Sequence, residues 1–455
     1  MKKRIASRLL LLPLLGMSYW ACTITSSDVG GSGGGSGDDD TGGKGSTSTG
    51  GAATGGSSSG SGGDNRSTGG AGATSTGGKG TDATGGGTVA TGGASSGDTG
   101  GRATTTGGAA QGGAGATATG GAATTGGAGG GAATGGAGMA TKLPCDIYKD
   151  DGGPCVAAHS TVRALLAAYN GPLYQVKKAD GTTKDVTPLA PGGLADSSIQ
   201  DTFCGTAACT ISIIYDQSGM GNHLTKTLPG GGAKPQGDNE ADAKALPLML
   251  GGKKVYGEHN PAGVGYRNNM AKGTAKGSNP ETMYAIFSGD YYNNQCCFDY
   301  GNMETNTKDN GEGTMEALYW GNCTIWGRGN GSGPWVMGDL ENGLWAGNSS
   351  PYAGNTPVKA KYVTAILKGR PSGTTKWALR GGDAQSGKLT KLFDGARPSS
   401  RYDPMRLEGA IGLGTGGDNS NSAQGNFFEG AMTAHFSNDT ADDAVQANIV
   451  SVYGQ

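Results

Sequence analysis

The chain has 455 residues, of which 93 are glycine, and those glycines crowd into its first third, so the folded mass is much smaller than the length suggests. Lys plus Arg is 35 against 37 Asp plus Glu, a net charge of −2, and that balance gives nucleic acid or an anionic membrane nothing to bind. The 8 cysteines show no CxxC…CxxC or HxxxH spacing, which argues against zinc and for disulfides in an exported protein.

Taken in chain order, residues 1–22 come first. Lys2, Lys3, Arg4 and Arg8 precede an apolar run from Leu9 to Met17, and Ala21 precedes Cys22, the layout of a secretory signal. Ala21-Cys22 also resembles the end of a bacterial lipobox, although Tyr19 stands where Leu would be usual, so Cys22 is either a lipidated N-terminus or part of a plain cleaved signal. The apolar run is too short for a spanning helix. Residues 23–143 cycle through GGAAT, TGG and SGSGG with no aromatic residue and no proline before Pro144. Such a tract cannot bury enough apolar surface to offset its chain entropy, and is expected to be a disordered tether of roughly 55 to 65 Å root-mean-square span.

Residues 144–455 read as one domain. Short apolar or alternating runs recur between Gly, Asn and Asp: ISIIY at 211–215, MYAIFS at 283–288, MEALYW at 315–320, PWVMG at 334–338, YVTAIL at 362–367, KWALR at 376–380 and FFEGAMTAHF at 427–436. They predict an all-β, two-sheet β-sandwich with a few short helices. Helical spacing predicts helices over 156–169, with Val162, Leu165, Leu166 and Tyr169 on one face, and over 438–453, with Val445, Ile449 and Val452. Close spacing suggests bridges Cys145 to Cys155 and Cys204 to Cys209; if Cys296 pairs with Cys297, Cys323 is left as a lone thiol beside Cys22. A bridge between adjacent residues is strained, because trans neighbours sit about 3.8 Å apart, and strain tends to mark a working surface.

An exported, nearly neutral sandwich rich in Trp, Tyr, Asn and Asp suggests a sugar as partner, and composition cannot separate a lectin from a glycosidase. A glycosidase needs two carboxyls flanking the scissile bond. The best-placed candidates are Asp339 and Glu341, which would share a strand face in VMGDLENGLW, and Asp418 in the loop GGDNSN; as solvated loop acids they would do nothing. The four histidines, 159, 223, 259 and 435, lie far apart and no GxSxG elbow accompanies them. DQSGMGNH at 216–223 has oxygen ligands and turn glycines but lacks the acid density of a calcium loop, so a hydrogen-bonded turn is expected there.

PCDIY at 144–148, PCVAAHSTVRAL at 154–165, IIYDQSGMGNHLT at 213–225, GYRNN at 265–269, CCFDYGN at 296–302, GPWVMGDLEN at 333–342 and GGDNSNSAQGNFFEG at 416–430 together resemble the catalytic domain of glycoside hydrolase family 54, the α-L-arabinofuranosidase B type. The resemblance runs in order from about 144 to 453. It implies a concanavalin- or jelly-roll-like sandwich that removes terminal α-L-arabinofuranosyl groups with retention, acting on arabinoxylan or arabinan. It also implies Glu341 as nucleophile, Asp418 as acid/base, Asp339, Asn342, Gly417 and Trp326 as pocket residues, and a vicinal disulfide Cys296–Cys297 as a flat apolar platform under the furanose ring. Gly343, Trp345, Arg328 and Cys323 depart from the residues expected beside these motifs, which puts outer-pocket specificity in question. The family's usual C-terminal arabinose-binding β-trefoil is not expected here, and the tether would hold the enzyme at a surface instead. No metal or cofactor is expected, and the protein is expected to be a secreted or surface-anchored monomer. The alternatives are a tethered carbohydrate-binding or adhesin module without turnover, and a β-xylosidase.

Overall fold

The structure is a computed structural model and describes residues 142–455 apart from residue 312. The signal segment, Cys22 and the glycine-rich tract lie outside the described residues. Two antiparallel sheets face each other. The first runs in the order Cys155–Ser160, Gly425–Thr433, Glu281–Ser288, Tyr362–Gly369, Trp377–Asp383, Thr390–Gly395, with Glu258–Asn260 also pairing Gly425–Thr433. The second has ten strands, from Leu344–Trp345 through Trp335–Asp339, Glu316–Gly321, Asp299–Met303, Ala410–Leu413, Tyr266–Asn268, Leu224–Lys226, Cys209–Ile214 and Tyr174–Lys178 to Thr183–Val186.

The continuous apolar runs are the middle strands of the first sheet, where every residue of Glu281–Ser288, Tyr362–Gly369 and Gly425–Thr433 is buried. One face of these strands meets the second sheet. The other is covered by α1 (Pro144–Asp150) and α3 (Asp439–Tyr453), which pack on Gly425–Thr433 and Tyr362–Gly369 respectively. Burial on both faces removes any reason for polar alternation. Helix α3 starts where its sequence signals it: the Asn438 side chain accepts the Ala441 N–H at 2.9 Å. A third helix, α2 (Ser197–Cys204), is capped in the same way by Asp196, which accepts from Ser198 N.

The helix expected over 156–169 is not there. Cys155–Ser160 is a fully buried strand laddered to Gly425–Thr433, and a turn-rich segment follows. Pairing across the sheet overrides the local spacing: Ala158 donates its N–H to Asp216 Oδ1 at 2.9 Å, and Val162 and Leu165 reach the core from irregular backbone. Asp216 also accepts from Ser218 N, Ser218 Oγ and Asn222 N, so 216–223 is the hydrogen-bonded turn. Disulfides join Cys145 to Cys155 and Cys204 to Cys209, with S–S distances of 2.06 and 2.10 Å, and Cys296 to Cys297; Cys323 is a buried free thiol. Among the described residues no helix is long and apolar enough to cross a membrane.

One buried acid gives the fold a pH dependence. Burial pushes Glu258 up to about 8, with the Asn260 side chain opposing, so between the ordinary carboxylate range and pH 8 the unfolded chain loses a proton that the folded chain keeps. Stability contributed by this group therefore falls as pH rises through that window. Glu258→Gln should flatten the decline, gaining on the wild type by on the order of a few kcal/mol between pH 5 and 8. Denaturant melts at both pH values check it, and parallel pH profiles would rule it out.

Candidate active site

The site sits on the outer face of the ten-stranded sheet, and strand alternation selects its residues. Along Trp335–Asp339, Val336 and Gly338 turn to the core while Met337 and Asp339 turn outward. Registers carry one row across the sheet: Asp339 faces Ala317, Ala317 faces Gly301, Gly301 faces Gly412 and Gly412 faces Arg267. Three small residues lie between Asp339 and Arg267, and the Met303 side chain packs over Gly412 with its Sδ 2.2 Å from where a Cβ would stand. Asp299 lies on the same outward face, two residues before Gly301.

Asp339 and Glu341 do not share a strand face, as their spacing had suggested. The strand ends at Asp339, and a hairpin returns at once, with Asp339 paired to Leu344 and Gly338 to Trp345. Asp339 Oδ1 accepts the Glu341 N–H at 2.9 Å, a local bond that closes the turn and places Glu341 at φ +80. The Glu341 carboxylate is then held by the loop opposite. Its Oε1 accepts from Asn310 N and Gly311 N, both at 2.9 Å, and its Oε2 from Thr314 N at 3.1 Å and from the Thr314 hydroxyl. Four donors converge on this one carboxyl group, and the Asp309 carboxyl bonds to it as well.

Asp418 comes from the far side of the row, on the loop that follows Ala410–Leu413. Gly416 N donates to Ser420 O at 2.8 Å, Asn419 N to Gly416 O at 3.1 Å and Ser420 N to Asp418 Oδ1 at 2.9 Å, which makes a tight turn around a half-buried acid. A Cβ on Gly417 would fall 1.7 Å from Glu304 Oε2, so a larger residue there would have to displace the Glu304 carboxyl. Glu341 and Asp418 belong to one acid cluster: both charges act on the Asp339 carboxyl, and both act on Asp309.

Between the two loops lies the Cys296–Cys297 pair, across a cis peptide with its α-carbons 3.0 Å apart. Asp339 Oδ2 is 3.2 Å from Cys297 Sγ, and Cys296 O accepts from Ser422 N at 3.2 Å, so the pair touches the end of one strand and the base of the Asp418 loop. Cys297 packs with Tyr319, Trp335 and Met337. Cys296, Cys297 and Asp339 bring ligand-type atoms within 4.8 Å of one another, but the two sulfurs are bonded together and offer no thiolate to a metal. Asn342 is exposed; its Nδ2 donates to Gly311 O and its carbonyl accepts from Tyr402 OH at 2.6 Å. Trp326 is 52% exposed on the rim and accepts Leu344 N at 3.0 Å through its carbonyl.

Four further charged residues belong to this site and were not singled out from sequence: Arg267, Asp299, Glu304 and Asp309. Asp299 is fully buried and receives no N–H or hydroxyl; its partner is the Asp339 carboxyl, and two carboxyls bond only when one holds a proton. Burial, with the Asp339 charge adding, holds Asp299 well above the usual carboxylate range, and burial pushes Asp339 up to about 7. Burial likewise pushes Glu304 up to about 8, the charges of Glu341 and Asp339 adding to it. Asp299 and Arg267 stand inside CCFDYGN and GYRNN, and a charged residue within a short strand run was the signal for each.

An apolar platform of two sulfurs flanked by a proton-bearing pair, a fully hydrogen-bonded carboxylate and a half-buried loop acid is suited to acid-assisted displacement at a sugar carbon. The family described as "Alpha-L-arabinofuranosidase B, catalytic" matches residues 144–454. The chain is 54% identical over 314 residues to a probable α-L-arabinofuranosidase B of Aspergillus fumigatus, covering 68% of this chain and 62% of the relative. It is 56% identical over 315 residues to α-L-arabinofuranosidase B of Emericella nidulans, covering 68% and 61%. It is 54% identical over 314 residues to an arabinofuranosidase/β-xylosidase of Trichoderma koningii, covering 68% and 62%. The chain thus spans about 62% of the length of the curated relatives it matches. A crystal structure of an arabinofuranosidase complexed with arabinofuranosyl-α-1,2-xylobiose superposes with a TM-score of 0.66 at 51% identity, over 68% of this chain and 65% of that one. A GH54 α-L-arabinofuranosidase soaked with a cyclic sulfate inhibitor gives 0.65 at 51% identity, over the same 68% and 65%. With a family match over most of the described residues and identities above one half, the chain belongs to the α-L-arabinofuranosidase B catalytic-domain family, GH54.

Proposed function

We propose that the protein is a retaining, exo-acting α-L-arabinofuranosidase that releases terminal arabinofuranosyl groups from arabinoxylan- or arabinan-type chains. The observation that carries this reading is that Asp339 accepts Glu341 N–H at 2.9 Å and lies 3.2 Å from Cys297 Sγ while Cys296 O accepts Ser422 N at 3.2 Å, so the turn carrying Glu341 and the loop carrying Asp418 both close on the paired sulfurs. Glu341 attacks the anomeric carbon while Asp418 gives its proton to the departing oxygen. Asp418, now a carboxylate, takes a proton from water, and the resulting hydroxide oxygen displaces Glu341 to free the sugar with its starting configuration. Cys296–Cys297 floors the ring with an apolar surface that loses no rotamer freedom on binding, Asp339, Asn342 and Gly417 meet the hydroxyls, and Trp326 flanks the entrance. The N-terminal signal layout supports export, and Cys22 is the position at which a lipid would hold the protein to the cell surface.

The reading is tested by hydrolysis of 4-nitrophenyl α-L-arabinofuranoside in the presence of methanol, with the product anomer identified by proton NMR. Methyl α-L-arabinofuranoside is the expected early product. Asp418→Ala should lose about 10²- to 10⁴-fold in kcat/KM on an arabinoxylo-oligosaccharide, and on 4-nitrophenyl α-L-arabinofuranoside, whose leaving group needs no proton, azide should speed its turnover by trapping the glycosyl-enzyme as the α-azide. The β-anomer as first product would sink the retaining mechanism. Binding of arabinose without turnover by the wild type would instead identify a carbohydrate-binding module. The double name of the Trichoderma koningii relative makes an aryl β-xylopyranoside the second substrate to assay.

A further inference from the structure

Arg267 sits at the far end of the row that begins with Asp339, on the short strand Tyr266–Asn268, and is 5% exposed. Among the described residues it makes no ion pair. Its donors go to neutral acceptors: Nη1 to Gly416 O at 3.2 Å and to Asn419 Oδ1 at 3.3 Å, Nη2 to Glu304 O, and Nε to Asn269 Oδ1 at 2.5 Å. A buried guanidinium without a carboxylate partner is costly, and burial draws Arg267 down to about 10, with Glu304, Asp418, Asp238 and Glu408 acting against it. It is still a cation at neutral pH.

The acceptors it has chosen bracket one residue. Gly416 lies two positions before Asp418 and Asn419 one position after it, so a single nitrogen grips both sides of the turn that carries the acid. The second terminal nitrogen ties that turn to the end of strand Asp299–Met303 through Glu304 O. Asn419, at φ +65, is braced from the opposite side: its Nδ2 donates to Leu228 O at 3.4 Å, Asp418 O accepts Ala233 N at 3.0 Å, and a Cβ on Gly231 would fall 2.4 Å from Asn419 Cβ. The planar fork of arginine fits this task, because it places several donors in one rigid plane where lysine offers a point charge.

We propose that Arg267 is a positioning residue that fixes the Gly416–Asn419 turn to the sheet and thereby aims the Asp418 carboxyl at the leaving-group oxygen. This rests on the reading of Asp418 as acid/base. An aimed acid matters most when the leaving group is a poor one, since 4-nitrophenolate departs with little help from a proton and a sugar alkoxide does not. The experiment compares kcat/KM on an arabinofuranosyl-xylobiose and on 4-nitrophenyl α-L-arabinofuranoside for the wild type, Arg267→Met, Arg267→Lys, Asn419→Gly and Asp418→Ala. Arg267→Met should lose about 100-fold on the oligosaccharide and less than about 5-fold on the aryl substrate, with Arg267→Lys and Asn419→Gly smaller in the same direction. Equal losses on both substrates in every folded variant of Arg267 and Asn419, while Asp418→Ala discriminates between them, would overturn the proposal. If Asp418→Ala itself shows no discrimination and no rescue by azide, the acid/base reading fails first. Should Arg267→Met fail to fold, Asn419→Gly decides alone, because it removes one Arg267 acceptor, relieves the positive φ and strands no charge.

Discussion

Glu341→Gln is expected to leave a protein that binds arabinofuranosides and turns them over about 10³- to 10⁵-fold more slowly, because an amide cannot act as the nucleophile. The surroundings of Glu341 sharpen the expectation. Four N–H and O–H donors face its oxygens, Asn310 N, Gly311 N, Thr314 N and the Thr314 hydroxyl, beside the Asp309 carboxyl. A glutamine must turn its own NH₂ toward one pair of them, so donor meets donor and the 310–314 loop loses at least one bond. The substitution should therefore also lower stability by about 1–3 kcal/mol, which a denaturant melt reads separately from kcat. Glu341→Ala opens a space in which a small anion can stand for the lost carboxylate. Azide should restore turnover there and give the β-azide, the opposite anomer from the Asp418→Ala product. Retention of more than one tenth of the wild-type kcat/KM in Glu341→Gln, or the same azide anomer from both variants, would end the assignment of Glu341.

Local pattern served well wherever a residue's neighbours in sequence are also its neighbours in space. The apolar runs at 283–288 and 362–367, and the run at 427–436 as far as Thr433, became strands because strands covered on both faces need no alternation. The turn around Asp418 was legible in GGDNSN for the same reason. The reading lost ground where long-range pairing decided the outcome. The stretch 156–169 carries Val162, Leu165, Leu166 and Tyr169 at helical spacing, yet its first residues ladder as Cys155–Ser160 to a strand some 270 residues away, and the rest follows as turns. Asp339 and Glu341 have strand spacing, yet one side chain–main chain bond ends the strand between them. Arg267 and the Asp418 turn meet because Tyr266–Asn268 pairs directly with Ala410–Leu413, some 145 residues on, and no window on the sequence contains both. The protonated pair of Asp299 and Asp339 is a property of burial, which spacing does not reveal.

Removal of either partner from the buried Arg163–Glu429 pair should be the most destabilising single change outside the pocket. Arg163 Nε and Nη2 donate to the two Glu429 oxygens, each at 2.6 Å, with both side chains almost wholly buried at 1% and 0% exposure. Glu429 also accepts from Tyr284 OH at 3.2 Å and Tyr453 OH at 3.1 Å, and Arg163 Nη1 donates to Asn448 Oδ1 at 2.8 Å. The pair thereby joins the segment after Cys155–Ser160, two central strands and helix α3. Glu429→Gln halves the acceptor capacity and leaves a buried cation without a counter-charge, at an expected cost of about 3–5 kcal/mol in unfolding free energy. At about 2–4 °C per kcal/mol for a domain of this size, the melting temperature should fall by roughly 10 °C. Arg163→Met should cost about as much, since it strands the carboxylate instead. The double variant Arg163→Met/Glu429→Leu should lose clearly less than the two single losses added together, because it leaves no charge behind. Kinetics at 25 °C should not move, as neither side chain is among those that form the pocket. Single losses below about 1 kcal/mol, or simple additivity in the double variant, would mean that packing of the sheets on α3, and not this ion pair, holds the first sheet to its covering helix.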